Sequence, residues 1–217
     1  MAESLIVDID GTLVDSNYQH VIAWQRAFRE HGFETEAWKV HRYIGKGGDK
    51  MVASVAGDQA EQADGDAIRE SEKEFYQELI GEVRPFRGAA EFVSGMKEQG
   101  LKVILASSAK EEEVEQYVRI LGVEDTIDGF TTSADVEATK PEPDLVEAAI
   151  EKSGSRDAAM VGDSIWDVEA AKRAGLECSA VLTGGFSKSE LLAAGAVQVQ
   201  PALADLNTLQ LTASGLT

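Results

Sequence analysis

The sequence predicts an α/β fold in which helices cover a parallel sheet, and three observations carry that expectation. Short apolar, strand-like runs alternate with segments of helical character, the order that a parallel sheet with helical crossovers requires. The helical segments end in Gly, the residue that most easily adopts the left-handed turn closing a helix. After the first strand, a long stretch with no strand pattern, about Asn17 to Glu82, interrupts the alternation.

Taken in order, Leu5-Ile6-Val7 is the first strand, an apolar run bounded by the Gly11 turn. The interruption reads as several helices: Tyr18 to His31 stopped by Gly32, Ala37 to Tyr43, Asp49 to Val55, and Asp66 to Ile80. Pro85 and Gly88 mark the return to the sheet. Residues 1–16 and 83–217 are therefore read as an α/β core, and 17–82 as an inserted helical cap. In the core, a helix from Ala89 to Gln99 precedes Gly100, and a strand follows at Lys102 to Ala106. A helix from Glu111 to Leu121 before Gly122 leads to a strand at Gly129 to Thr131. Ala158 to Val161 is the next strand, followed by a helix from Asp167 to Ala174 before Gly175. Strands at Ala180 to Leu182 and, more weakly patterned, Val197 to Val199 complete the sheet. Ala202 to Leu209 reads as a short covering helix. No internal repeat or low-complexity segment is present.

Composition bounds the function. A chain of 217 residues suits one α/β domain with a modest insertion and is long enough to bury a core. With 39 acidic against 20 basic residues the net charge is −19, which argues against partners that present phosphate backbones or anionic membrane surfaces. An anionic substrate then needs local positive charge or a metal. The single Cys178 excludes an internal disulfide and fits a reducing compartment, and its place beside an apolar strand favours packing over catalysis. With neither a signal peptide pattern nor an apolar run of about 20 residues, the expected location is cytoplasmic.

Chemistry concentrates at Asp8-Ile9-Asp10-Gly11-Thr12-Leu13-Val14-Asp15-Ser16, directly after the first strand. Ligands of open α/β sheets sit at the carboxyl ends of the strands. Side chains two apart share a face, so Asp8 and Asp10 are expected to converge on one point. Two carboxylates in one small space are tolerated if a cation lies between them or one holds a proton. Both conditions suit phosphoryl transfer, which uses a metal, a nucleophile and a proton donor. The bland alternative is a solvated acidic turn.

The DxDGT pattern of Asp8 to Thr12 resembles the first motif of the haloacid-dehalogenase-like (HAD) superfamily of phosphohydrolases. Three further motifs follow in the same order. Val103-Ile104-Leu105-Ala106-Ser107-Ser108 is similar to the second, an apolar strand ending in Ser or Thr. Lys140, before Pro141-Glu142-Pro143-Asp144, is similar to the third, a Lys leading into a helix. Met160-Val161-Gly162-Asp163-Ser164-Ile165-Trp166-Asp167 resembles the fourth, an acidic pair after a strand. Four motifs in order at strand ends reduce the solvated-turn alternative to little. The resemblance spans nearly the whole chain and implies a Rossmann-like core with a helical cap at the observed interruption.

The resemblance also implies roles. Asp8 is the candidate nucleophile, forming an aspartyl-phosphate while ligating a metal. Asp10 is the candidate general acid and base, contributing its backbone carbonyl to the metal, and this role asks for a carboxyl that stays protonated at neutral pH. Asp163 is the remaining protein ligand, and an oxygen-only set suits Mg²⁺ better than zinc. Asp167 holds a metal-bound water or orients Lys140, or is simply an acidic residue at a helix start. Ser107 and Lys140 bind the transferring phosphoryl group, with Ser108 assisting or serving as a loop hydroxyl. Asp15 and Ser16 match the motif, though capping of the first cap helix explains them equally well.

In the cap, Lys39, His41, Arg42, Lys46 and Lys50 form a positive patch opposed only by Asp49. The segment Ile44 to Asp49 reads as a flexible loop that closes over the site, Lys46 contacting the far end of the substrate, or as a solvated connection. It lacks the GxxxxGK[ST] spacing of a nucleotide phosphate loop. His20 resembles the hinge His of the β-phosphoglucomutase branch. That branch also carries an Arg in a G-x-x-R pattern, and here Gly48 stands in that place. The form of the fourth motif is closer to the phosphatases. Asp10 argues against dehalogenase and phosphonate-cleaving relatives, since a leaving alkoxide needs its proton. The Gly-rich Thr183-Gly184-Gly185-Phe186 lacks dinucleotide-binding spacing.

The expectation is a Mg²⁺-dependent phosphatase of small phosphate monoesters, such as a sugar phosphate or a phosphoglycolate-like compound. A sugar-phosphate mutase is the runner-up and a non-catalytic binding module the remote alternative. The expected partner is a small-molecule phosphate ester, with neither nucleic acid nor membrane, and the protein is expected as a monomer or weak homodimer.

Overall fold

The computed structural model describes residues 2–206 and residue 211. Six strands form one parallel sheet: β1 (Ser4–Val7), β4 (Lys102–Ala106), β5 (Gly129–Thr131), β6 (Ala158–Gly162), β7 (Glu177–Val181) and β8 (Gln198–Gln200). Their order is β5-β4-β1-β6-β7-β8. The chain therefore builds outward from β1 on one side, through β4 and β5, then crosses to the other side at β6. That reversal beside β1 is the switch point at which an open α/β sheet opens a crevice.

Period-two alternation divides the strand side chains between two cores. Leu5, Val7, Val103, Leu105, Ala159 and Val161 face one side, packed with α5 (Ala89–Glu98) and α6 (Glu111–Leu121). Ile6, Ile104, Ala106, Ala158 and Met160 face the other, packed with α7 (Asp144–Ser153) and α8 (Ile165–Arg173). Because both faces are covered, β1 reads as an unbroken apolar run. Each fully buried Leu, Ile or Val side chain contributes about 1.5–3 kcal/mol, which fixes the strand ends that carry the polar residues.

The segment between β1 and α5 is helical: α1 (Asn17–Glu30), α2 (Ala37–His41), α3 (Gly48–Ala56) and α4 (Asp58–Leu79). These helices bury a core of their own, in which Val21, Trp24 and Phe28 of α1 meet Met51 and Val52 of α3 and Ile68 of α4. Two short strands, β2 (Val14–Asp15) and β3 (Arg84–Pro85), pair antiparallel where the chain leaves the sheet and where it returns.

Several elements differ from expectation. α4 starts at Asp58, eight residues before the expected Asp66, because Gly65 does not interrupt it. A side chain at Gly65 would collide with Glu61 and Arg69, which pair across that position at 2.8 Å. Strand β7 ends at Val181, and Leu182 opens a 3₁₀ turn. Helix α9 (Lys188–Ala194) was not anticipated, although Ser187 and Glu190 form a reciprocal capping box that is legible as Ser-x-x-Glu. In place of a helix from Ala202, a 3₁₀ turn occupies Leu203–Asp205; the rest of that expected helix, Asn207 to Leu209, lies outside the described residues.

Candidate active site

The carboxyl ends of β1, β4 and β6 and the loop before α7 bring Asp8, Ser107, Asp163 and Lys140 to one place. Asp8 follows Val7 at the end of β1 and is buried. Asp163 follows β6, which pairs with β1 and so lies beside Asp8. Lys140 is only 1% exposed, a burial that a lysine tolerates only when paired. Its ammonium donates to Asp8 Oδ1, lies 2.7 Å from Asp167 Oδ1, and reaches the carbonyl of Ala106 at 3.4 Å. The ammonium thus donates two hydrogen bonds, to Asp8 and to Ala106, and meets Asp167 as an ion pair. Asp167 holds its second oxygen toward Ser164, whose hydroxyl donates at 2.5 Å and whose amide donates at 3.0 Å. Asp167 thus both joins the capping box of α8 and contacts Lys140.

Thr12, which sequence reasoning left without a role, lies between the acids. Its hydroxyl is 2.9 Å from Asp8 Oδ2 and 3.1 Å from Asp163 Oδ1. Asn17, at the start of α1, donates to Asp163 Oδ2 at 3.2 Å. The oxygens of Asp8, Asp163 and Asp167 lie within 4.8 Å of one another. Three buried carboxylates against one ammonium leave an excess of negative charge. Burial and the Asp167 charge push the Asp8 carboxyl up to about 7 despite Lys140, and burial also raises Asp163 well above the ordinary range. Such an all-oxygen, over-charged cluster fits a hard divalent cation, which would remove the repulsion that these shifts express.

Asp8 and Asp10 do not share one cluster. The strand ends at Val7, Gly11 turns the chain at φ 76°, and the alternation that was expected to align the two acids stops. Asp10 instead accepts the hydroxyls of Ser16 at 2.5 Å and Ser107 at 3.2 Å, and lies 3.4 Å from His20 Nε2. Ser16 stands at the N-cap of α1 but makes no capping bond with its side chain, so the capping explanation fails. Burial would raise the Asp10 carboxyl, but hydrogen bonds from His20 and Ser16 outweigh it and hold it below its usual value. His20 is correspondingly raised well above 6.5: burial opposes its charge, and Asp10 and Glu72 overcome that. The two shifts favour a carboxylate at Asp10 beside a charged imidazole at His20.

His20 sits where cap meets core. Its Nδ1 faces Glu72 of α4 at 3.1 Å, its Nε2 faces Glu113 of α6 at 3.6 Å, and its ring stacks on Tyr76 with centroids 3.7 Å apart. Tyr117 of α6 hydrogen-bonds Tyr76 and reaches Glu113 at 3.3 Å. Glu72, Tyr76, Glu113 and Tyr117 carried no sequence signal, since their meeting depends on how two helical units pack.

A cavity of about 710 Å³ opens above these groups, lined by Asp8, Asp10, His20, Lys46, Ser108 and Lys140 among others. The hydroxyl of Ser108 is buried without a hydrogen-bond partner, whereas that of Ser107 is engaged by Asp10 and the amide of Ala109. The basic patch is not directed as a whole at this cavity. Arg42 pairs with Glu190 at 2.6 Å, His41 meets the carbonyl of Gly184 at 3.0 Å, and Lys50 lies 3.4 Å from Glu142. Carboxylates of the core thus oppose charges that looked unopposed along the chain. Lys46 lines the cavity, but its ammonium lies 4.3 Å over the Trp166 ring and 5.0 Å over Tyr43.

The family model for "Haloacid dehalogenase-like hydrolase" matches residues 5–181, from β1 to the end of β7. The chain belongs to this family. A crystal structure of a hydrolase from Pseudomonas syringae is similar with a TM-score of 0.89 at 32% identity, over 95% of this chain and 97% of that one. The phosphoglycolate phosphatase of Aquifex aeolicus is 27% identical over 83% of this chain and 84% of its own length. The chloroplastic protein SUPPRESSOR OF QUENCHING 1 of Arabidopsis thaliana is 31% identical over 83% of this chain, which spans only 18% of that protein. Within the haloacid dehalogenase-like hydrolases the chain is of the phosphatase type, a phosphoric monoester hydrolase. No helix among the described residues is long and apolar enough to cross a membrane.

Proposed function

We propose that the protein is a Mg²⁺-dependent phosphatase of small soluble phosphate monoesters, such as sugar phosphates or phosphoglycolate-like compounds, working through an aspartyl-phosphate on Asp8. The observation that carries this reading is the buried Asp8 carboxylate held by Lys140 at the floor of a cavity that also admits Asp10. Asp8 and Asp163, with the Asp10 backbone carbonyl, would hold Mg²⁺. Bound there, the ion supplies Lewis-acid stabilisation of the charge that develops on the transferring phosphoryl oxygens.

The protein's own groups carry the remaining steps. Asp8 attacks phosphorus, and the ester oxygen leaves with a proton delivered at Asp10. The Asp10–His20 pair stores that proton, and the same pair then accepts a proton from the water that hydrolyses the acyl phosphate. Lys140 offsets the charge of the phosphoryl oxygens while holding Asp8 in line. The unpartnered hydroxyl of Ser108 and the neighbouring Ser107 complete the phosphoryl cradle. The cap excludes bulk water during the lifetime of the intermediate and opens for exchange.

A mutase reading has one observation in its favour, the His20 contact with Asp10 at the cap–core seam. Both are tested by ³¹P NMR of the protein with Mg²⁺ and a panel of small phosphate esters, with Asp8→Asn as control. Inorganic phosphate released by the wild type alone supports the phosphatase. Phosphate transferred between positions of a sugar, with little released, makes the mutase correct.

A further inference from the structure

The connection from α2 into α3 rests on the core on both sides of Lys140. Asp49, in the first turn of α3, accepts the hydroxyl of Thr139 on one carboxylate oxygen, and its other oxygen lies 3.5 Å from the Thr139 amide. Lys50 donates to the Thr139 carbonyl at 3.1 Å. The hydroxyl, amide and carbonyl of the residue covalently before Lys140 are thus all engaged from the cap. The approach is close enough to exclude a side chain at Gly47, where a Cβ would lie 1.9 Å from Thr139 Oγ1. Two residues earlier, a Cβ at Gly45 would lie 2.9 Å from Ser164 Oγ, the hydroxyl that binds Asp167. The same loop therefore touches the neighbours of both partners in the Lys140–Asp167 pair. The cap–core contact of Arg42 with Glu190 is made from residues that do not line the cavity.

We propose that Asp49 is a positioning residue, which by holding Thr139 sets the Lys140 ammonium against Asp8 when the cap rests on the core. Closure and completion of the phosphoryl-binding charge are then one event: an open cap leaves the Lys140 loop without its anchor. The inference rests on the phosphatase reading and adds to it a coupling between cap and floor. It also gives the Gly-rich sequence a reason, since a bulkier loop would stand off from Thr139 and Ser164.

The test uses the full chain with Mg²⁺ and the best ester of the panel. Asp49→Ala is expected to lower kcat about 100-fold with KM changed less than about threefold, the signature of a misplaced catalytic group. Asp49→Asn, which still accepts the Thr139 hydroxyl, recovers most of the rate. Thr139→Val reproduces the loss, and the double variant is no slower than either single one, as expected for two residues acting through one contact. Arg42→Ala, a cap–core contact away from Lys140, leaves kcat unchanged. Retention of kcat in Asp49→Ala, additive losses in the double variant, or an equal loss in Arg42→Ala would each overturn the positioning role while leaving the phosphatase reading intact. Absence of turnover by the wild type across the panel overturns the phosphatase reading, and the coupling with it.

Discussion

At the floor of the cavity one ammonium, Lys140, serves the carboxylates of Asp8 and Asp167 beside Asp163. At the seam one imidazole, His20, serves three carboxylates: Asp10, Glu72 and Glu113. The two arrangements count charges alike and behave differently. Every member of the floor stands at a strand end of the sheet, in the loop before α7 or in the first turn of α8, so all of its geometry is held by the core. The seam draws His20 and Glu72 from the helical cap and Asp10 and Glu113 from the core, so it exists only while the two touch. The cation differs as well: a lysine stays charged across the physiological range, whereas a histidine changes charge within reach of neutral pH. The floor is suited to constant electrostatic work, and the seam to storing and releasing a proton as the cap moves.

The sharpest way to break this comparison is to remove the floor's cation. Lys140→Met leaves Asp8 and Asp167 buried without their partner, which costs about 3–5 kcal/mol of stability and about 100- to 1000-fold in kcat. Added Mg²⁺ should restore part of the stability, as measured by thermal unfolding, and little of the rate. A variant as stable as the wild type without metal would show that the carboxylates had neutralised by protonation.

Removing the seam's cation should cost less. His20→Asn is expected to lower kcat about 10- to 100-fold and to move the limb of the pH–rate profile that reports the Asp10 proton. An unshifted profile would separate His20 from proton transfer and leave it a packing role on Tyr76.

A pH effect on stability separates the two regions further. Burial raises Glu113 to about 8 in the fold, against 4.5 for a free glutamate, with His20 opposing the shift. Between these values the folded state binds the extra proton, so stability falls as pH rises through that window. His20, also raised, adds the same sign above 6.5. Glu113→Gln keeps an acceptor for Tyr117 and removes one titration, so its melting temperature should fall less between pH 5 and pH 8. Equal slopes for the two proteins would place the dependence elsewhere. The smallest effect is expected at Lys46, where Lys46→Ala removes a cation–aromatic contact worth about 0.5–1 kcal/mol and should change turnover of good substrates by no more than a few-fold.

The same contrast explains what could be read along the chain. Asp8 and Asp163 were legible because each directly follows a strand, and strand ends in a parallel sheet meet at one edge; Lys140, in the loop before α7, was legible only through its likeness to the third motif. Asp10 lines the same cavity as Asp8, but its immediate partners, Ser16, Ser107 and His20, were not legible, because the strand and its period of two end at Val7. Thr12 and Asn17 sit inside the motif and its flank, yet their contacts with Asp163 depend on β6 pairing beside β1. The basic patch looked free because its counter-charges, Glu142 and Glu190, are about 100 to 150 residues distant and arrive only on folding. α9 had a readable signal that went unused, its Ser187–Glu190 box.

The pairing of β2 with β3 has a consequence of another kind. Val14 faces Pro85 and Asp15 faces Arg84, so the chain leaves the sheet and re-enters it side by side. The distance the core must bridge is then set by two hydrogen-bonded threads, whatever is strung between them. A segment mounted this way can be lengthened, shortened or exchanged as a cassette while the sheet keeps its register.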